Sequence, residues 1–536
     1  MSDEPVFDYV IVGGGSAGCV LANRLSARPD VRVALLEAGP SDATRWVTMP
    51  AGLIGTVPTH RLNWAYRTVP QRGLNGRRGY QPRGKVLGGS SSINAMCYIR
   101  GHRSDYDGWA AGGCIGWSYD EVLPYFKRGE GCLVPDLDSR FHGFDGPLKV
   151  SALRSPSDFN RLVLDAAVAC GHARNDDFNG AEQEGVGYYH VTQDHGVRCN
   201  ATRAYLDPVR SRPNLAVFTD TRVTRVLFEG RRAVGVEVAQ ARGRRTIRAR
   251  GEVLLSAGTF GSPQLLLLSG VGAGGALQAL GIACVADRAA VGANLQDHPD
   301  AILTRRVHDV RLFGTSLGGI ITLWRARNQY KRDRTGPLTT NFAESGGFFR
   351  TQPDLARPDA QWHFVMGMVD DHGRKRHLGH GFSLHACVLR PKSRGSVTLA
   401  SADPMADPLI DPAFLTDAAD VATLTRAYQQ TAALLATPAL APYAQRPLVP
   451  EPDASDSAGI ERFLRARTDT IYHPVGTCRM GSDADAVVDR ELRVCGVEAL
   501  RVIDASVMPT LTGGNTNAPT MMIAEKAADL IVRAAK

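Results

Sequence analysis

Residues 9–12 form a short β-branched apolar run, and Gly13, Gly15 and Gly18 follow it in the spacing Gly-x-Gly-x-x-Gly. Residues 17–27 then repeat Val20, Leu21 and Leu25 at helical spacing, and residues 31–36 read as a second strand ending at Glu37. Strand, tight turn, helix and strand in that order make one right-handed βαβ unit opening a parallel sheet. Gly13 permits the turn, Gly15 lets backbone approach a pyrophosphate, and Gly18 lets helix and strand pack closely. Phosphates suit the positive end of such a helix, and a carboxylate at Glu37 can accept both ribose hydroxyls. The unit therefore predicts dinucleotide binding, and its placement at residue 13 fits FAD held by a whole domain.

A chain of 536 residues can bury a large core without metal or disulfide support. Residues 40–110 are rich in Gly, Pro and Arg and read as extended or looped chain laid over another element. Residues 215–252 alternate as a β-meander that returns to a strand at 253–256, and a short helix follows at 261–269. A different pattern starts near residue 300: strands at 361–369, 382–389 and 395–399, and a helix at 417–437. A last strand at 500–503 leads into Asp504 and a terminal helix at about 519–535. The fold class expected is α/β: a Rossmann-like FAD-binding domain built discontinuously from 1–155, 198–310 and 470–536. A second, α+β substrate domain with an antiparallel sheet is expected from 156–197 and 311–469.

The formal charge of +8 permits an anionic partner, but the basic residues are mostly Arg scattered among apolar ones, as on solvated strand edges. No zinc finger or paired basic-aromatic motif accompanies them, so no nucleic-acid partner is expected. Ten cysteines without a CxxC pair, and no HExxH, argue against a metal site. The acidic N-terminus is unlike a signal peptide, and no apolar stretch reaches the length of a membrane span. The expected location is cytoplasmic, with peripheral contact to the inner membrane open. Residues 311–324 are apolar and glycine-broken, which suits a substrate lid, a membrane-contacting loop or a buried connecting helix.

Four long stretches carry a resemblance: DYVIVGGGSAGCVLANRLS at the start, PRGKVLGGSSSINAMCYIRGHRSDYDGW from Pro82, GTFGSPQLLLLSGVG from Gly258, and IYHPVGTCRMG through RVIDASVMPTLTGGNTNAPTMMIAEKAADLI at the end. With these in order, the chain resembles the glucose-methanol-choline (GMC) oxidoreductases along nearly its whole length. Within that family it is similar to bacterial FAD alcohol dehydrogenases of alkane oxidation and to choline-dehydrogenase-like proteins. The resemblance places Arg83, Gly88, Gly89, Ser90 and Asn94 in a loop against the pyrophosphate and flavin. It puts Val223 against the adenine and Asp504 near the ribityl-phosphate. Taken alone, Val223 also reads as a core valine and Asp504 as a helix cap. Some relatives attach FAD covalently through a histidine in that loop; Ile93 stands at this position, which implies non-covalent FAD.

The same resemblance matches His473 with the catalytic histidine and Asn515 with the second catalytic position, which also borders the flavin. The expected reaction is oxidation of a primary, apolar aliphatic or aromatic alcohol to the aldehyde. His473 would take the hydroxyl proton and Asn515 would donate to the developing alkoxide, while hydride passes to flavin N5. Electrons would pass to a quinone or another non-oxygen acceptor. The alternatives are an oxygen-using oxidase producing peroxide and a flavin-containing hydroxynitrile lyase. His298 is expected to pack near the domain junction, and His102, His363 and His385 are assigned no role. The oligomeric state is left open.

Overall fold

The computed structural model describes residues 5–240, 243–309 and 311–534. Val6–Val12, helix Ser16–Leu25 and Val33–Leu36 make the expected βαβ unit, with Tyr9 opposite Val33 and Val12 opposite Leu36 in parallel register. Leu215–Phe218 extends this sheet beyond Val33–Leu36, again parallel. Val10, Ile11 and all of Val33–Leu36 are buried. That is the near-continuous apolar run of a strand covered on both faces.

The 13-residue strand Gly243–Leu255 divides its work. Its first half pairs antiparallel with Arg232–Gln240, which pairs in turn with Arg222–Glu229. Its second half lies parallel between Val6–Val12 and Leu500–Val502. One sheet thus draws on residues near both termini and the middle of the chain. Helix Asn517–Ala534 packs on Ser16–Leu25, where Ser16 Oγ donates to Asn517 Oδ1 at 2.7 Å and Arg24 pairs with the buried Glu525 at 2.7 Å.

The second sheet is antiparallel, in the order Asp469–Thr470, Pro299–Val307, Gly379–Val388, Ala360–Val365, Ala343–Phe349, Gly185–Tyr188. Helix Ala418–Ala436 backs it, with Trp362 Nε1 donating to Thr431 Oγ1 at 2.8 Å. The architecture is a discontinuous Rossmann-like α/β region joined to an α+β region with an antiparallel sheet. One boundary differs from the expectation: Pro299–Val307 belongs to the second sheet, not with the segment 198–310. Its pairing runs from Asp300–Cys387 to Val307–His380, a register set by distant chain that no local turn signal announces.

This exchange positions the chemistry. The chain leaves the first region through Gln296, whose N–H and C=O bond with Val475 at 3.0 and 2.8 Å, and enters the second sheet at Pro299. His298 and His473 are therefore brought together where the two sheets meet.

Candidate active site

A cavity of about 970 Å³ runs from Gly13, Gly15 and Glu37 past Gly89, Ser90, Asn94 and Asp504 to His473 and Asn515. At its first end the helix Ser16–Leu25 starts at Gly15 with no side-chain cap, so its first N–H groups stay available to an anion. Glu37 accepts from Gly14 N–H at 2.9 Å and Gly39 N–H at 2.8 Å, and burial pushes its carboxyl up to about 7 against those bonds. Gly89 (φ +54°) comes so close to Gly15 that a Cβ on it would lie 2.7 Å from Gly15 Cα. The two backbones form a wall with no side chain in the way. Gly18 and Gly88 lie behind this wall, outside the cavity lining. Gly18 is pressed against the Gly13 carbonyl, and Gly88 N–H donates to Gly14 O at 2.7 Å.

Ser90 Oγ accepts from Gly84 N–H at 3.2 Å, and Asn94 Oδ1 accepts from Met96 N–H and from the buried Arg198 at 2.8 Å. Val223 faces the cavity from its strand at 8% exposure, and Ile93 lines it from the glycine loop. Asp504 borders the cavity and is also a cap: Oδ1 accepts from Ser506 N–H at 2.8 Å, while Oδ2 accepts from Gly258 N–H and Ser262 Oγ at 2.9 and 2.6 Å. Arg83 Nη2 donates to the Tyr472 carbonyl at 2.8 Å, so it braces the histidine loop from the cavity wall. The uncapped helix start, the bare glycine wall and Glu37 along one elongated cavity fit a dinucleotide.

At the other end the loop carrying His473 is tightly specified. Asp297 Oδ1 accepts from the N–H of His473 at 3.0 Å, and Thr470 Oγ donates to Asp297 Oδ2. Burial lifts the Asp297 carboxyl to about 6, while Arg83 nearby opposes that shift. The His473 imidazole is held well below its ordinary pKa, first by burial and then by His298, His363 and Arg83, so it is neutral at pH 7. Its Nε2 lies 3.0 Å from Asn515 Nδ2 and its Nδ1 lies 3.1 Å from His298 Nδ1. Gln361 Nε2 donates to Asn515 Oδ1 at 3.3 Å.

His298 is therefore not only packing at the junction; it touches His473 directly. His363 and His385 also line the cavity, opposite each other across two strands. His363 is buried beside Asn515, which opposes the lowering of its pKa by burial, and neither ring nitrogen makes a well-aligned hydrogen bond among the described residues. His385 Nδ1 bonds Asp300 Oδ2 at 2.6 Å, and its Nε2 has no partner among the described residues. Nothing local marks His363 and His385 for the site. The available signal was weaker: Gln361 and His363 are polar residues at alternate positions of an otherwise apolar strand.

Trp46, Ile54, Phe313, Ile320, Leu323 and Met368 line part of the cavity, and the charged Arg311, Lys375 and Arg376 line it as well. Residues 311–324 are not a buried connection: helix Leu317–Asp333 exposes Ile320, Ile321 and Leu323, with Trp324 at 62%. No helix among the described residues is long and apolar enough to cross a membrane. The side chains of Glu130, Cys132 and His142 cluster away from the cavity. Arg100 pairs with Glu130 at 2.6 Å, and His142 bridges Glu130 and Asp177 at 3.1 and 2.9 Å, so the cluster is a buried ion-pair network.

Residues 7–300 and 391–524 each match a family model described as GMC oxidoreductase. An "Alcohol dehydrogenase [acceptor]" of Pseudomonas putida is 47% identical over 534 residues, covering 98% of this chain and 96% of that protein. The mitochondrial choline dehydrogenase of Homo sapiens is 43% identical, covering 98% and 89%. Among solved structures, pyridoxine 4-oxidase from Mesorbium loti superposes with a TM-score of 0.87 at 33% identity, covering 98% of each chain. With a dinucleotide cavity at the head of its first sheet and matches over most of its length, the chain belongs to the GMC oxidoreductase family and is an FAD-dependent oxidoreductase.

Proposed function

We propose that this enzyme oxidises a primary alcohol with an apolar body to the aldehyde, using His473 as the base. The observation that carries this reading is the pairing of a buried, neutral His473 with the Asn515 amide at 3.0 Å at the inner end of the cavity. A neutral imidazole can take a hydroxyl proton at Nε2, and the Asn515 N–H can stabilise the oxygen left behind without competing for that proton. FAD, when bound, supplies the hydride acceptor for the carbinol carbon. Gly13, Gly15, Glu37, Gly89, Ser90, Asn94, Val223 and Asp504 would hold it, with Gly18 and Gly88 shaping the wall. The apolar side chains of Trp46, Ile54, Phe313, Ile320, Leu323 and Met368 support an alkyl or aryl body on the substrate, and expulsion of water around them would strengthen the polar contacts inside.

The acceptor reading differs from the quinone expected from sequence. Pyridoxine 4-oxidase, at 33% identity over nearly the whole chain, is an oxidase by name, which supports dioxygen as acceptor with peroxide as product. The Pseudomonas putida relative, named alcohol dehydrogenase [acceptor], supports a second reading with a quinone or similar carrier. The test is anaerobic absorbance of the holoprotein mixed separately with octanol, a benzylic alcohol and choline, followed by oxygen and then a quinone analogue. Bleaching by octanol or the benzylic alcohol and rapid return of colour in oxygen is the expected result. Return only with the quinone analogue would establish the second reading, and no bleaching by any alcohol would overturn alcohol oxidation.

Ile93 offers no nucleophilic ring nitrogen at the position where some relatives bond the flavin. FAD is accordingly expected to leave with heat or acid denaturation, giving a yellow supernatant over a colourless pellet. Flavin fluorescence migrating with the polypeptide on a denaturing gel would refute non-covalent binding.

A further inference from the structure

We propose that His298 is a positioning residue that fixes which nitrogen of His473 carries its proton, leaving Nε2 of His473 as the accepting nitrogen, engaged by Asn515 in this structure and by a substrate hydroxyl in the reaction. The inference deepens the functional reading above and rests on it for the role of His473. A chain of hydrogen bonds runs from a backbone carbonyl through both rings. His298 Nε2 lies 3.1 Å from the Leu389 carbonyl, and a carbonyl can only accept, so that nitrogen bears a hydrogen. His298 is fully buried; burial, with Arg390 acting in the same sense, pushes its pKa down to about 3, so the ring carries one proton only. Its Nδ1 is therefore a lone pair.

That lone pair faces His473 Nδ1 at 3.1 Å, with the two rings nearly perpendicular at 83°. His473 must then donate from Nδ1. Being neutral as well, it keeps Nε2 bare, and Asn515 Nδ2 donates to that atom at 3.0 Å. Asn515 is itself oriented, because Gln361 Nε2 donates to Asn515 Oδ1 at 3.3 Å. Every donor from Gln361 to Asn515 and from His473 to His298 to Leu389 fits one assignment. Reversing the His473–His298 bond would put hydrogens on both nitrogens of a buried His298 beside Arg390.

The surroundings reinforce this. His473 is faced by His298, His363 and Arg83, and Asp297 is engaged by its backbone N–H. His298 is faced by Arg390, Asp105 and the backbone of Leu389 and Thr512. When a hydroxyl O–H bond breaks and its proton joins His473 Nε2, the new cation keeps a hydrogen bond from Nδ1 to the His298 lone pair. A His473 with its proton already on Nε2 has no lone pair aimed at the substrate.

The experiment compares His298→Leu, which removes the acceptor, with His298→Asn, whose Oδ1 can occupy the place of Nδ1. The readouts are flavin content, the pH dependence of anaerobic flavin reduction, and neutron diffraction of the wild-type holoprotein. His298→Leu is expected to bind FAD, to be reduced more slowly by up to about 10⁴-fold, the loss that accompanies a catalytic histidine in the wrong tautomer, and to have its acid limb at lower pH. That direction follows because His298 is neutral at pH 7, so the repulsion it would exert on His473 when protonated is absent there, and the substitution only takes away the acceptor for the Nδ1 hydrogen of the His473 cation. His298→Asn should recover most of the rate and return the limb. Slowing with an unmoved limb and no recovery in the Asn variant would mean a packing role and overturn the proposal, as would unchanged reduction in His298→Leu.

If the Leu variant fails to bind FAD, the neutron map decides. Deuterium on His473 Nδ1 and His298 Nε2 supports the proposal, and deuterium on His473 Nε2 in the resting enzyme overturns it. Failure of alcohols to bleach the wild-type flavin would instead remove the functional reading, and the map would still report the tautomer.

Discussion

Replacing His473 with Ala is expected to leave a yellow, folded protein whose flavin is reduced by alcohol roughly 10²- to 10⁴-fold more slowly, the span typical of losing a positioned general base. Flavin should be retained because the bare Gly15–Gly89 wall, the bonds that hold Glu37 and the uncapped helix start are built from contacts that do not involve His473. The rate should fall because no other group is poised to replace it. Among the described residues no well-aligned hydrogen bond orients the His363 ring, and His298 directs its lone pair at His473 itself. The truncated side chain borders the open cavity, so added imidazole should restore part of the rate. Stopped-flow reduction under argon, with and without imidazole, makes the measurement. A rate within about threefold of wild type would remove His473 from the base role.

Gly18→Ala is the substitution with the largest expected effect on the holoprotein. A Cβ at this position would lie 1.9 Å from the Gly13 carbonyl oxygen and 3.1 Å from its carbon, both backbone atoms of the turn that opens the cavity. Inserting a methyl into a well-packed core costs about 1–3 kcal/mol when side chains can yield. Here the obstacle is backbone, and relief requires helix Ser16–Leu25 to move away from strand Val6–Val12, taking Gly15 out of line with Gly89. The expected outcome is at least about 3 kcal/mol of destabilisation, the upper end of that range, together with loss of bound flavin. Thermal unfolding and the absorbance ratio of flavin to protein check both parts. A yellow variant with an unchanged melting temperature would show that the turn can reshape, and would refute the packing argument for this glycine.

The first sheet shows what local sequence can specify. The β-branched run at 9–12, the glycine spacing and Glu37 are adjacent in the chain, and the steric demands of the turn admit few residue types. The same holds for the loop around Ser90 and Asn94 and for the backbone-rich segments carrying His473 and Asn515, where the long motifs supported a family resemblance. The helix at 417–437 and the terminal helix were likewise legible within two residues, because a buried apolar stripe at helical spacing is a local property.

What lay beyond reach was pairing between distant segments. Pro299–Val307 joins the second sheet through Gly379–Val388, a choice made by cross-strand packing rather than by anything inside 299–307. The apolar start of helix Leu317–Asp333 reads equally as buried or exposed chain, and only its place beside the cavity distinguishes them. The sequence by itself determined the nucleotide end, the family resemblance and the two residues offered for the chemistry. Only the tertiary structure decided that His298, His363, His385 and Gln361 share their cavity or touch them, and which way the hydrogen bonds run. The physical reason is range: a glycine turn is dictated by sterics within a few residues, whereas a histidine's tautomer is set by a carbonyl that reaches it only after two sheets have met.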